Sequence, residues 1–335
     1  MENTELDEQI TYTAADFEMA GEDEKQSRVI MRESVGFWKD GFRRFRKNKV
    51  AVTSFFVVVF IILISFFVPL FYPYDYHTQY KGSENLKPFT YSKVEMEKKA
   101  QGEKVFPHLL GTDKLGRDYA IRIMMGSRIS LIVGLVATLI ILIIGTILGS
   151  ISAFFGGWVD LVIMRIVLLS FGLKAPLKNL SLVSGFHWME KVGPNLISIF
   201  IVFALLYWGG MARMVRSQIL LLKNSEYITA SRALGQTNKK LITKHLLPNC
   251  IGTLIVTTTL QIPSSIFTES FLSFLGLGVA VPMPSLGSLA SEAINGMISY
   301  PYRLFAPAIL ISLIILSFNL LGDGLRDAFD PKLKK

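Results

Sequence analysis

The chain is poor in the residues that do chemistry. Cysteine occurs once, as Cys250, which excludes an intrachain disulfide and a thiolate cluster for metal. The four histidines, His77, His108, His187 and His245, are scattered, and no HExxH run occurs, so nothing in them points to a metal site. No GxxxxGK(S/T) phosphate loop is present, and the chain is therefore not expected to hydrolyse ATP itself. No nucleophile–base pair suggests a membrane-embedded enzyme. No selectivity loop or pair of charged half-helices suggests a channel or secondary transporter. The first long apolar run begins only at Val50, so no cleavable signal peptide is expected and the first helix should persist as an anchor.

What is abundant is apolar surface. Hydrophobic residues make up 51% of 335 positions, too many for a soluble globular domain. Several runs reach the roughly 20 residues needed to cross a hydrocarbon core of about 30 Å. A helix satisfies its own backbone groups there, so the runs read as spanning helices. The formal charge of +9 is explained by bases on the cytoplasmic flanks of spans, and nucleic acid is not expected as a partner.

Residues 1–27 carry nine acids against one base, Lys25, and read as a solvated tail, or alternatively as a docking arm. From Arg28 the sign reverses. Phe37, Trp38, Phe42 and Phe45 alternate with Lys39, Arg43, Arg44, Arg46 and Lys47, the pattern of a helix lying in the membrane interface. Residues 1–49 thus form a cytoplasmic arm, and the basic cluster pins that end inside. Spans are expected at Val50–Phe71, Ile129–Phe155, Leu161–Leu173, Leu196–Met211, Ile251–Leu275 and Leu304–Leu321. A polar external insert covers about 75–128, a cytoplasmic loop about 212–250, and a basic cytoplasmic tail 322–335. The third segment is short for a span, and parity requires it to cross: the loop after the fourth span holds Arg213, Arg216, Lys223, Arg232, Lys239, Lys240 and Lys244. The stretch Gly276–Tyr302 contains no Lys or Arg, as an external loop should. Gly145 and Gly149 are spaced for close helix contact.

Two groups of residues draw functional readings. The stretch Glu226–Pro248 is a polar, basic island between apolar runs, suited to two short helices joined at Gly235 and presented to another protein. Within the fifth span, Gln261, Ser264, Ser265 and Glu269 are polar. An acid at such depth is costly and points to function. Glu269 either faces a substrate pathway, pairs with Arg165, or sits near the outer water boundary.

The island resembles the EAA loop of binding-protein-dependent ABC importers, with the pattern E-A-A, three residues, G, nine residues, I, any, L, P. Here Thr229-Ala230-Ser231 is followed by Gly235, then His245, Leu247 and Pro248 at the matching spacing. Thr229 replaces the Glu, Ser231 the second Ala and His245 the Ile. The run from His108 to Asp118, HLLGTDKLGRD, resembles the signature HPLGTDxLGRD of the dipeptide/oligopeptide/nickel permeases. Gly126–Leu131, Phe155–Asp160, Ser273–Gly278 and Phe318–Asp327 match that family too. The chain looks most like a C-type subunit of an oligopeptide permease. It departs from the family between about Leu168 and Phe186, where a continuous apolar third helix is usual. Either this helix is unusual, with snorkelling lysines, or the sequence is locally altered.

The resemblance implies an all-α type I importer permease with six transmembrane helices and both termini cytoplasmic, in a bacterial plasma membrane. It implies a heterodimer with a second, related permease, two ATP-binding subunits that carry ATP and magnesium, and an extracellular or periplasmic substrate-binding protein. No cofactor is expected on this chain. Glu226, Tyr227, Thr229, Ala230, Ser231, Arg232, Ala233, Leu234, Gly235, His245, Leu247 and Pro248 are the implied ATPase-coupling residues. Oligopeptides are the implied substrate, with a dipeptide or nickel importer as the alternative.

Overall fold

A computed structural model describes residues 36–103, 105–173, 194–276, 278–279 and 282–329. The chain divides into two units, Met1–Asp40 and Gly41–Lys335. Of the first, only residues 36–40 are described, the opening of helix α1 (Phe37–Lys47). The acidic tail and residues 174–193, which hold most of the departure region Leu168–Phe186, lie outside the described residues.

Helix α1 closes with Arg44, Arg46 and Lys47 in its last turn, where cations meet the negative end of the helix dipole. Asn48 then caps α2 (Lys49–Phe71) by accepting from the Ala51 amide at 3.2 Å. A short helix, α3 (Lys93–Ala100), lies in the polar insert and opens on a Ser92–Glu95 capping box. Helix α4 (Tyr119–Phe155) is capped by Asp118, which accepts from the Ile121 amide. Its 37 residues make a rod of about 55 Å, well beyond a membrane core of about 30 Å. After Gly156 comes α5 (Gly157–Leu173), then α6 (Pro194–Leu206) and α7 (Trp208–Leu222).

The island forms α8 (Glu226–Ala233), α9 (Asn238–Lys240), one π-turn (Leu241–Leu246) and α10 (Leu247–Asn249). The remaining helices are α11 (Ile251–Phe274), α12 (Leu286–Ile294) and α13 (Tyr302–Phe329). Every regular element among the described residues is helical, as expected for an all-α membrane protein.

Five helical stretches are long and apolar enough to span: Lys49–Phe71, Tyr119–Phe155, Ile199–Leu222, Ile251–Phe274 and Tyr302–Phe329. The expected third span corresponds to α5, whose 17 residues run up to the undescribed stretch. Several expected boundaries move. The second span begins at Tyr119 rather than Ile129, so the insert ends near 118, not 128. The fourth continues to Leu222 instead of stopping at Met211, which shortens the loop expected at 212–250. The sixth extends through Phe329, so most of the stretch 322–335 is helix rather than tail. The expected loop Gly276–Tyr302 contains α12.

Two apolar cores are strung along α4. One gathers Val133, Ala137 and Ile141 with Phe203, Met211, Val215 and Ile219 from α6 and α7. The other joins Tyr119, Ile123 and Leu131 to Val58, Ile61, Ile266, Leu289 and Phe318. Gly149 sits where an added Cβ would lie 2.5 Å from the Ala212 carbonyl oxygen, and Gly145 meets Met211 in the same way. The expected small-residue contact is therefore the α4–α7 seam.

Candidate functional site

Helix α8 is held by one side chain and exposes nearly everything else. Ile228 is fully buried and belongs to the core shared with Val215, Ile219, Leu246 and Cys250. Glu226, Tyr227, Thr229, Ala230, Arg232, Ala233, Leu234 and Gly235 are exposed, and Leu234 keeps 84% of its surface. A helix of eight residues is marginal in isolation; here Glu226 lies at its positive end and Arg232 at its negative end. Ser231 is half-buried and returns its hydroxyl to the Tyr227 carbonyl at 2.8 Å.

Gly235 ends this helix at φ +77° with open space around it. The requirement is for the left-handed backbone itself, which glycine adopts without a Cβ penalty. The second arm then returns alongside the first. His245 Nε2 lies 2.9 Å from Gln236 Oε1, and Asn249 Nδ2 donates to the Tyr227 hydroxyl at 3.1 Å. Leu241 and Leu246 are the buried anchors of this arm. The island residues on the two arms, from Glu226 to Pro248, are thus brought into one compact feature.

Proline commonly ends a helix, yet Pro248 lies inside α10, and the break comes at Cys250. The preceding π-turn explains the difference: the Leu247 amide bonds back five residues to the Ile242 carbonyl, so the wide turn absorbs the proline ring.

One contact joins this feature directly to α4, through Arg232, and two more tie the adjoining α7 to α4 and α5. Lys223 Nζ donates to the Ala153 carbonyl at 3.0 Å, at the last turn of α4. Arg232 lies over the Phe154 ring at 5.8 Å. Arg216 on α7 grips Asp160 on α5 through Nε at 2.6 Å and Nη2 at 2.5 Å, and Ser152 donates to the same carboxylate. Sequence reasoning assigned no role to Asp160 or Arg216. The matched run Phe155–Asp160 was the available signal.

The four polar residues of α11 do not form one lining. Ser264 is exposed, Gln261 is half-buried, and Ser265 and Glu269 are fully buried. Ser265 accepts from the Thr138 hydroxyl at 3.2 Å. Glu269 is held by hydroxyls, receiving Ser130 at 2.8 Å, Ser273 at 2.7 Å and Ser270 at 3.3 Å. The expected pairing with Arg165 does not occur: Arg165 is exposed on α5. The carboxylate is closed off from solvent by its neighbours. It joins α11 to α4 and, because Ser130 also accepts from the Leu286 amide at 3.3 Å, to the start of α12.

At the opposite end of α4, the run His108–Asp118 folds the insert. His108 is fully buried between Asp118 (2.7 Å) and Glu95 (3.2 Å) and stacks on Tyr74. Burial, with Glu95 beside it, holds the Tyr74 phenol above its usual range. Asp113 bonds Arg117 at 2.6 Å and Arg122 at 2.7 Å, and Glu292 of α12 bonds Arg122 at 2.8 Å. Among the described residues there is no cluster of His, Cys, Asp and Glu suited to a metal ion.

Known proteins share this layout at the level of sequence. Residues 141–335 match the family described as binding-protein-dependent transport system inner membrane component. Residues 36–88 match the N-terminal transmembrane domain of oligopeptide transport permease C. The chain is 41% identical to the oligopeptide transport system permease protein OppC of Bacillus subtilis, across 95% of this chain and 97% of that protein. It is 38% identical to the dipeptide transport system permease protein DppC of the same organism, across 95% and 93%. It is 36% identical to the glutathione transport system permease protein GsiD of Pectobacterium atrosepticum, across 91% and 95%. The chain belongs to the family of binding-protein-dependent transport system inner membrane components, as a multi-pass permease subunit.

Proposed function

We propose that this chain forms half of the translocation pathway of an ATP-driven oligopeptide importer and receives force through α8. The observation that carries the reading is the exposure of α8: one buried anchor, Ile228, fixes a helix most of whose surface faces outward. The partners are a second, related permease, two ATP-binding subunits and a substrate-binding protein outside. ATP and magnesium belong to the ATP-binding subunits, and no cofactor is needed here. The termini and α8 are cytoplasmic, the insert is external, and the membrane is a bacterial plasma membrane.

The chain's own work is mechanical. When the ATP-binding subunits close, α8 is pressed sideways. Arg232 and Lys223 pass that displacement to the end of α4, and the Arg216–Asp160 pair carries it to α5. Stiff helices make the response a rigid-body switch between inward and outward access. Ser265 and Glu269 lie within the subunit as packing partners. Ser264, on the exposed face of α11 with Phe267 and Phe271, is the better candidate to face the pathway or the second permease.

Dipeptides are the second reading, favoured by the 38% identity to a dipeptide permease. Purification in mild detergent from native membranes tests the assembly: two ATPases and a second permease should co-elute. The chain eluting alone, in detergent that preserves such complexes, would sink the reading. Transport of peptides of graded length then separates oligopeptides from dipeptides.

A further inference from the structure

A cavity of 210 Å³ lies at the insert end of the bundle, between Asp113, Lys114, Glu292, Asn295, Tyr300 and Arg303. Its charges do not cancel. Asp113 and Glu292 are already held by Arg117 and Arg122, two acids against two guanidinium groups. Arg303 and Lys114 remain, and neither has a carboxylate partner among the described residues.

Arg303 is the more telling of the two. Only 7% of it is exposed. One terminal nitrogen donates to Asn85 Oδ1 at 2.9 Å and the other to the Thr112 carbonyl at 2.5 Å, while the Tyr300 ring lies 4.1 Å from its central carbon. Its Nε has no hydrogen-bond partner among the described residues. Burying a guanidinium without a counter-charge is costly. The position adds to that cost, because Arg303 is in the first turn of α13, where the helix dipole is already positive. A carboxylate there would meet a cation, a free donor and a helix N-terminus together.

Arg303 is buried and Lys114 is exposed, so one cation of the lining is enclosed and the other faces solvent. The volume suits one acidic side chain, whereas pockets that enclose whole small-molecule ligands run from about 300 Å³ upward.

We propose that this cavity is a carboxylate socket, and that its occupant is an aspartate or glutamate side chain presented by the substrate-binding protein as it docks outside. The inference rests on the importer reading above, which places the insert on the external face. The exposed cation would steer the partner, and the buried one would orient its acidic side chain.

The test uses the whole transporter in nanodiscs, with its binding protein titrated and ATP hydrolysis followed. Lys114→Glu is the first variant, because Lys114 is exposed and holds nothing in place. The binding-protein concentration for half-maximal stimulation should rise about tenfold, equally with peptides bearing a free or an amidated C-terminus. Arg303→Lys, which keeps the charge, should shift it less than Arg303→Gln. Normal co-purification of the ATPases and second permease checks that each variant is assembled.

An unchanged half-maximal concentration in Lys114→Glu overturns the socket. A defect confined to peptides with a free C-terminus also overturns the assignment, since the socket would then take the peptide's own carboxylate. Wild-type transporter that no binding protein stimulates would instead defeat the importer reading beneath it.

Discussion

Arg216 holds Asp160 in a two-point grip, Nε on one carboxylate oxygen at 2.6 Å and Nη2 on the other at 2.5 Å. The pair connects α7 to the opening turn of α5. It is partly solvated, with about a third of the Arg216 side chain and a fifth of the Asp160 side chain exposed.

Partial solvation limits its worth as a brace to about 1 kcal/mol, so its removal should show in coupling before it shows in folding. Asp160→Ala should lower transport per ATP hydrolysed while leaving assembly intact. Exchanging the two residues, Asp160→Arg with Arg216→Asp, should recover part of the loss. Transport and phosphate release measured on the same proteoliposomes decide it; equal losses in both variants would count against the pair.

At Gly235 the left-handed backbone leads to a different expectation. Gly235→Ala meets no neighbour but costs about 1–2 kcal/mol in conformation. The turn between the two arms should loosen, and less ATPase should co-purify, with the membrane helices unaffected. Gly235→Asn should behave better than Gly235→Ala, because asparagine tolerates this region.

Glu269 should reveal itself through its three hydroxyl partners. Glu269→Leu strands those donors in a buried site, at about 1–3 kcal/mol for each one that finds no other acceptor. Glu269→Gln retains an acceptor oxygen. Thermal unfolding in detergent should therefore place Gln well above Leu, and equal melting temperatures would argue against the hydroxyl cage.

The α4–α7 seam leaves no room for a side chain. Gly149→Val directs a Cβ at the Ala212 backbone, and overpacking of this kind costs about 1–3 kcal/mol. A lower melting temperature and poorer yield are expected. Ile147→Val, on the exposed face of the same helix, serves as the control.

Apolar runs showed where most spans lie, because length and hydropathy are local properties. Their ends were harder to place. The expected second span starts at Ile129, yet Arg122, in the helix that begins at Tyr119, is fully buried against Asp113 and Glu292. Glu292 is distant in the chain, so no local pattern shows that this charge is neutralised. Arg216 ended the fourth span early for the same reason, with Asp160 as the unseen partner. The two-armed island was legible because its signals are local: a glycine at a turn, and small residues at helical spacing. Glu269 announced itself as an acid in an apolar run, but its serine partners come from more than one helix. The pairing with Arg165 failed because α5 turns that arginine outward.

The length of α4 has a mechanical consequence. A rod of about 55 Å pivoting through about 5° sweeps its far tip by about 5 Å, close to one helical turn. One end is clasped by Lys223, and the other carries Asp118 and Arg122, which fasten the insert, and Tyr119, which bonds the first turn of α13. A small tilt imposed at the Lys223 end thus becomes a stroke of several ångströms at the end that holds the insert.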